Sequence, residues 1–355
     1  MKKLLSAVAV ASAMALVVST GSAVHAADKQ LNIQMVSKGF QHQFWQAVKL
    51  GATQAGTALN AKINFVGPPT EQDTQIQLDQ LTAAINTPGV DAIGYASLDP
   101  VIPQAALKTA KDKGIPVMFF DAQAGSDLTD RTDGGLSLGL AATDGYLGSA
   151  LAADKMAAAI GGKGKVFVIA HSQVNATAVQ RRSGFIDEMK KKFPKVTVLP
   201  VQVGDGDHQK SADIVKAVMA ANKDLKGVFA TNEGGAEGAC LGFQEIKAKK
   251  GAVKLVGFDS GDAQMKCITD GYMLGAITQD PIGIGYKTVA ALVAKVRNGT
   301  NPKTFINTGF YWYNSKNMTD PKIAAVLYHY RLASRNNSAT SVRKRSGRRF
   351  HLEVN

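Results

Sequence analysis

The chain alternates short apolar runs with longer segments of helical periodicity, and it does so twice. The first series reads strand 31–36, helix 44–59, strand 61–66, helix 70–86, strand 90–96, helix 103–113 and strand 116–121. In the second of these helices Ile76, Leu78, Leu81 and Ile85 recur close to helical spacing. The rhythm restarts after Asp144 with helix 145–160, strand 165–170, helix 178–193 and strand 196–203. Helix 207–222, strand 227–230, helix 233–249 and strand 254–258 complete it. Such alternation builds a parallel sheet with helices on both faces. Two units of the same plan predict two lobes with a cleft between them, and Gly-rich punctuation at Asp133-Gly134-Gly135 and Asp144-Gly145 marks a crossover. A third section, 273–310, holds a strand and a helix at 283–297. The aromatic run Phe310-Tyr311-Trp312-Tyr313 that follows is read as an edge strand and core filling, on a return crossing.

Three apolar runs stop on a polar side chain. The run 115–121 ends on Asp121, the run 227–233 on Asn232 and Glu233, and the run 255–259 on Asp259. In open α/β sheets ligands gather outside the carboxyl ends of the strands. Asp and Asn are also good N-caps for a following helix, so one such residue carries little weight. Three in series point to a polar pocket.

The chemistry of an enzyme is not written here. No His, Cys, Asp or Glu cluster has metal-ligand spacing, and there is no HExxH. Gly161-Gly162-Lys163-Gly164 enters a strand instead of leaving one for a helix, so it is no phosphate loop. The stretch Gly257 to Gly261 misses a nucleophile elbow because Asp259 holds the centre and Ser260 comes one place late. His42, His171 and His208 are unlinked by spacing. The sequence therefore predicts a binding protein without catalytic residues, cofactor or metal. Cys240 and Cys267 sit on helices flanking consecutive strands, and whether they pair is left open.

The termini differ from the centre. Lys2 and Lys3 precede an apolar run from Leu4 to Val18 and a small-residue stretch ending Val24-His25-Ala26, the pattern of a signal peptide. Residues 1–26 are expected to be removed after Ala26, leaving a soluble protein in the periplasm. From His329 the chain carries seven basic residues against Glu353 alone. Removing the two leader lysines and the net +6 of 329–355 from the overall +13 leaves +5, so the high charge belongs mainly to the ends. The tail 329–355 reads as a basic disordered extension and not as a nucleic-acid-binding arm.

The centre resembles the ribose-binding protein family, the type I periplasmic sugar-binding proteins of ABC importers. The resemblance rests on Gln43-Phe44-Trp45 with Gly51-Ala52, the run 116–121, Arg181-Arg182-Ser183-Gly184-Phe185, Val228 through Glu233, Val256 through Asp259, and Ala276 through Pro281. It implies an α/β fold of two Rossmann-like lobes with parallel sheets and a three-crossover hinge. The first lobe would comprise 28–143 plus 280–308, the second 144–279 plus 309–328. It further implies that Phe44 and Trp45 form an aromatic wall against a sugar ring. Asp121 and Asp259 would accept from hydroxyls, Arg181 would donate, and Asn232 and Gln279 would serve as neutral amides. Lys38 and His42 lie near the family's first polar contacts. Two departures from the ribose binder reshape the expected pocket: Ala122 stands where that protein has Arg, and Gly206 where it offers an aromatic. A monosaccharide or sugar alcohol follows as ligand, with an inner-membrane ABC permease as partner of a monomeric receptor. An alternative is a sensory receptor that presents its ligand to a chemoreceptor or sensor kinase. A DNA-binding repressor would need an N-terminal helix-turn-helix where this chain has a leader.

Because ligand hydroxyls are the expected partners, Asp259→Ala or Arg181→Ala is predicted to lose affinity with little loss of fold.

Overall fold

A computed structural model describes residues 29–125 and 135–328. The leader 1–26, Asp133-Gly134 and the tail 329–355 lie outside the described residues. The first half runs β1 (Leu31–Val36), α1 (Gln43–Ala58), β2 (Ala61–Val66), α2 (Thr74–Ile85), β3 (Ala92–Tyr95), α3 (Gln104–Asp112), β4 (Val117–Phe120) and β5 (Leu140–Ala142). The second runs α4 (Gly145–Ile160), β6 (Gly164–Ala170), α5 (Ala176–Lys192), β7 (Val196–Val198), β8 (Gln202–Val203), α6 (His208–Ala221) and β9 (Leu225–Ala230). It continues with α7 (Glu233–Glu245), β10 (Lys254–Phe258), α8 (Asp262–Thr269) and β11 (Met273–Gln279). Then come α9 (Pro281–Asn298), β12 (Phe305–Asn307), β13 (Phe310–Tyr313) and α10 (Pro321–Ala324).

The strands form two sheets. One has the order β12-β5-β4-β3-β1-β2 and is parallel throughout. The other has the order β13-β11-β10-β9-β6-β7, with β8 also paired to β6, and only β13 runs antiparallel. β3 and β4 are buried along their whole length, as strands covered on both faces must be. The chain passes between the sheets three times: from β5 to α4, from β11 to α9, and from β12 to β13.

Helix packing is close in both lobes. A Cβ on Gly51 of α1 would meet the Ile282 carbonyl oxygen of α9 at 2.0 Å, and one on Gly184 of α5 would meet the Tyr146 oxygen of α4 at 2.1 Å. Either side chain would force the helices apart.

Three local expectations need correction. The strand expected at 196–203 is two strands, because Pro200 has no N–H to continue the ladder. α7 stops at Glu245, short of 249, since Lys247 turns into the left-handed region at φ 51°. β5 and β12, three residues each, were too short for periodicity to reveal. The aromatic run does form an edge strand, and Tyr313 is fully buried.

Candidate functional site

β4 and β10 hold matching places in the two sheets, each beside the strand that leads out of its lobe, β5 or β11. At both strand ends the next residue is an Asp with positive φ, 58° at Asp121 and 78° at Asp259. Few side chains other than Gly enter this region, and Asp is among those that do. Each still donates its N–H to the neighbouring strand, Asp121 to Ala141 O at 2.9 Å and Asp259 to Ile277 O at 2.6 Å. The backbone therefore leaves the sheet at these two residues, with both carboxylates at the cleft.

All nine residues singled out from the sequence line one hollow: Lys38, His42, Phe44, Trp45, Asp121, Arg181, Asn232, Asp259 and Gln279. Lys38, His42, Phe44, Trp45 and Asp121 come from the first half of the chain; Arg181, Asn232, Asp259 and Gln279 come from the second. Glu71 and His171 complete the lining.

The hollow is charged and internally paired. Lys38 Nζ lies 3.0 Å from Asp121 Oδ2, donates to Thr177 Oγ1 at 3.2 Å, and stands 5.6 Å from the Trp45 ring centre. Arg181 donates to the Thr231 carbonyl at 2.9 Å and to Asp259 Oδ2 at 3.4 Å, while Nη2 is 3.9 Å from Asp121 Oδ1. Its guanidinium lies 3.8 Å from the centre of the Phe258 ring, a stacked cation–π contact. Asp259 also accepts from Gln279 Nε2 at 2.5 Å and from the Glu233 N–H at 3.1 Å.

This corrects the expectation that Asp259 and Arg181 find their partners mainly on a ligand. Both have protein partners, so removing either disturbs the fold as well as the site. The capping alternative holds for one residue only. Asn232 caps α7, its Oδ1 accepting from Gly235 N at 2.9 Å, which leaves Nδ2 without a hydrogen bond among the described residues. The same is true of both His42 ring nitrogens and of Arg181 Nε. These are donors and acceptors that a polar guest can take up.

Burial sets the protonation of the site. It pushes His42 down to about 4, and drives His171 well below its ordinary value with help from the Lys38 and Arg181 charges. Both imidazoles are neutral at neutral pH. His171 Nδ1 lies 2.7 Å from Thr231 Oγ1 and Nε2 3.1 Å from Thr177 Oγ1. Burial raises the Asp259 carboxyl, and Arg181 and Gln279 offset only part of that rise. For Glu71 burial acts in the same sense, but Lys38, His42 and the Trp45 indole N–H at 2.9 Å win and hold it below the usual range.

Residues 33–300 match the periplasmic binding protein domain family. The chain belongs to that family. Its members are substrate-binding proteins of ABC transporters and are not enzymes. The D-allose-binding periplasmic protein of Escherichia coli is 26% identical over 75% of this chain and 84% of its own length. The ribose import binding protein RbsB of the same organism is 29% identical over 81% of this chain and 90% of its own. A solute-binding protein from Agrobacterium vitis, solved with alpha-D-tagatopyranose bound, superposes with a TM-score of 0.80. It is 35% identical and covers 84% of this chain and 99% of its own. Such relatives are periplasmic binding proteins, and no helix among the described residues is long and apolar enough to cross a membrane.

Sequence reasoning missed Glu71 and His171 in this periplasmic binding protein. His171 follows β6 directly, so the strand-end rule used for Asp121 would have found it, whereas Glu71 lies five residues past the end of β2 and carries no such signal. Phe258, whose ring lies under the Arg181 guanidinium, carries no polar signal and was missed too. Cys240 and Cys267 do pair, with Cα atoms 6.3 Å apart, and tie α7 to α8.

Proposed function

We propose that this protein is an exported solute receptor that holds one monosaccharide or sugar alcohol between its lobes and presents it to the permease of an ABC importer. The observation that carries the reading is the single hollow in which acidic, basic and amide side chains from both lobes converge beside Phe44 and Trp45. A pyranose presents hydroxyls around its edge and C–H groups on its faces. Charge-assisted hydrogen bonds from carboxylates and guanidinium suit the edge, and an aromatic face suits the C–H groups.

Gly206 keeps the space beside Asn232 and His42 clear. A Cβ there would stand 3.0 Å from Asn232 Nδ2 and 3.4 Å from His42 Nε2, so an aromatic at this place would crowd two unpartnered groups. In this reading the leader is cut after Ala26 and the protein works in the periplasm. The lobes, 28–143 plus 280–308 and 144–279 plus 309–328, hinge at the three crossings. Relatives named for ribose and allose, and the tagatopyranose-bound neighbour, support a hydroxylated ring as guest.

The test is a thermal-shift screen of the exported protein, its N-terminus read by mass spectrometry. The panel holds D-ribose, D-allose, D-tagatose, D-arabinose, D-fucose and common polyols. A ligand at a hundred times its Kd should add about 2.7 kcal/mol of stability. No saturable shift across the panel at millimolar concentration overturns the proposal.

A further inference from the structure

Glu233 does not line the hollow, yet it is buried, and its carboxylate reaches across the cleft. Oε1 accepts from the Gln43 N–H at 2.9 Å and Oε2 from the Phe44 N–H at 3.1 Å. Gln43 and Phe44 are the first two residues of α1. Their N–H groups have no carbonyl within the helix to bond, and they form the positive end of its dipole. The residue that would normally cap them, His42, makes no side-chain cap bond. The cap of this first-lobe helix is supplied by the second lobe.

The arrangement is reciprocal. α8, in the second lobe, begins at Asp262 after Gly261, which has no side chain to cap it. Gln43 Oε1 accepts from the Asp262 N–H at 2.7 Å, and Gln43 Nε2 donates to Asp262 Oδ2 at 3.2 Å. Each lobe thus completes a helix start in the other. The two contacts meet at the site, since the backbone N–H of Glu233 holds Asp259 Oδ2 at 3.1 Å and Phe44 with Trp45 opens α1.

We infer that Glu233 and Gln43 are positioning residues that latch the lobes together by capping helices in trans, and so couple closure to the placement of Asp259 and the Phe44–Trp45 wall. Parting the lobes strips these helix starts of their caps. A ligand that bridges the lobes is therefore held by bonds it does not itself make. The ligand part of this inference rests on the sugar-binding reading; the latch does not.

The experiment separates the two. Spin labels at Lys108→Cys and Lys190→Cys, one in each lobe, report interlobe distance by double electron–electron resonance; the native cysteines are bonded and do not label. Glu233→Ala removes the cap. Gln43→Pro deletes a single donated N–H at the first helical position, where proline is tolerated, and Gln43→Ala keeps that N–H while losing the side-chain bonds. Without sugar, Glu233→Ala and Gln43→Pro should shift the distances outward. Glu233→Gln, which retains one acceptor, should fall between Glu233→Ala and wild type.

With whichever panel sugar gives the largest thermal shift, koff should rise about tenfold in Glu233→Ala while kon changes little. A residue that merely supported the fold would lower the melting temperature without moving the distances. Distances and koff that coincide with wild type overturn the inference. Should Glu233→Ala fail to fold, Gln43→Pro against Gln43→Ala decides it. If no panel sugar binds, the sugar reading falls and the distance measurement still judges the latch.

Discussion

The ends of β4 and β10 solve one problem in two ways. Both place an Asp at positive φ at a matching strand end, but the surroundings differ. The Asp259 carboxylate is bonded by Gln279, the Glu233 N–H and Arg181, and its carbonyl accepts from Gln264 Nε2 at 2.8 Å and the Tyr313 hydroxyl at 3.0 Å. The Cys240–Cys267 bond ties together the helices on either side of β10. Asp121 has Lys38 at 3.0 Å and the more distant Arg181. The second-lobe corner is held within its own lobe, whereas the Asp121 corner draws on Arg181 from across the cleft. One half of the site is braced within its own lobe and the other draws on the opposite lobe.

The sharpest way to break this comparison is to truncate both carboxylates. Asp259→Ala leaves the Glu233 N–H and Gln279 unpaired, weakens the tie on buried Arg181, and places a Cβ-only side chain at φ 78°. Urea unfolding should show a loss of about 3–5 kcal/mol. Asp121→Ala should cost about 1–3 kcal/mol, because Lys38 keeps Thr177 and Arg181 keeps Thr231 and Asp259. Equal losses would show that the corners are braced alike.

The staple comes next. Replacing Cys240 and Cys267 by Ala opens a loop spanning a sequence separation of 27. That should lower second-lobe stability by about 2–4 kcal/mol. Hydrogen exchange should quicken in β9, β10 and β11 and stay unchanged in β1, β3 and β4. Uniform quickening in both lobes would mean that the bond braces the whole molecule.

The smallest effect is in titration, and here the lobes carry opposite signs. Burial lowers His42 to about 4, so between its ordinary 6.5 and 4 the unfolded chain binds more protons. Stability is lost as pH falls through that window. Burial raises Glu237 from 4.5 to about 7, so there the folded chain binds more protons and stability is lost as pH rises through the window. His42→Gln should gain about 2 kcal/mol relative to wild type between pH 7 and 4.5, and Glu237→Gln about 1–3 kcal/mol between pH 4.5 and 8. Thermal unfolding in which His42→Gln gained as pH rose, or Glu237→Gln gained as pH fell, would contradict this assignment.

Much of this molecule is legible along the chain because burial is written locally. Apolar runs such as 117–120 and 255–258 mark buried parallel strands, and the polar residue after each marks the cleft. That rule places Asp121, Asn232 and Asp259 without any tertiary information. It fails for β5 and β12, where three residues hold no period, and at Pro200, where a missing N–H splits a strand.

The sequence alone determined the two alternating units, the strand ends that face the cleft, and the residue types gathered there. Only the tertiary structure decided who bonds whom. Gln43 and Glu233 stand 190 residues apart and Lys38 and Thr177 139, so these partners depend on how two separately folded sheets approach each other. Periodicity describes the burial of a residue within its own element; it carries no record of the angle between lobes. That angle turns Glu233 from one letter of a strand-end motif into the cap of a helix in the other half.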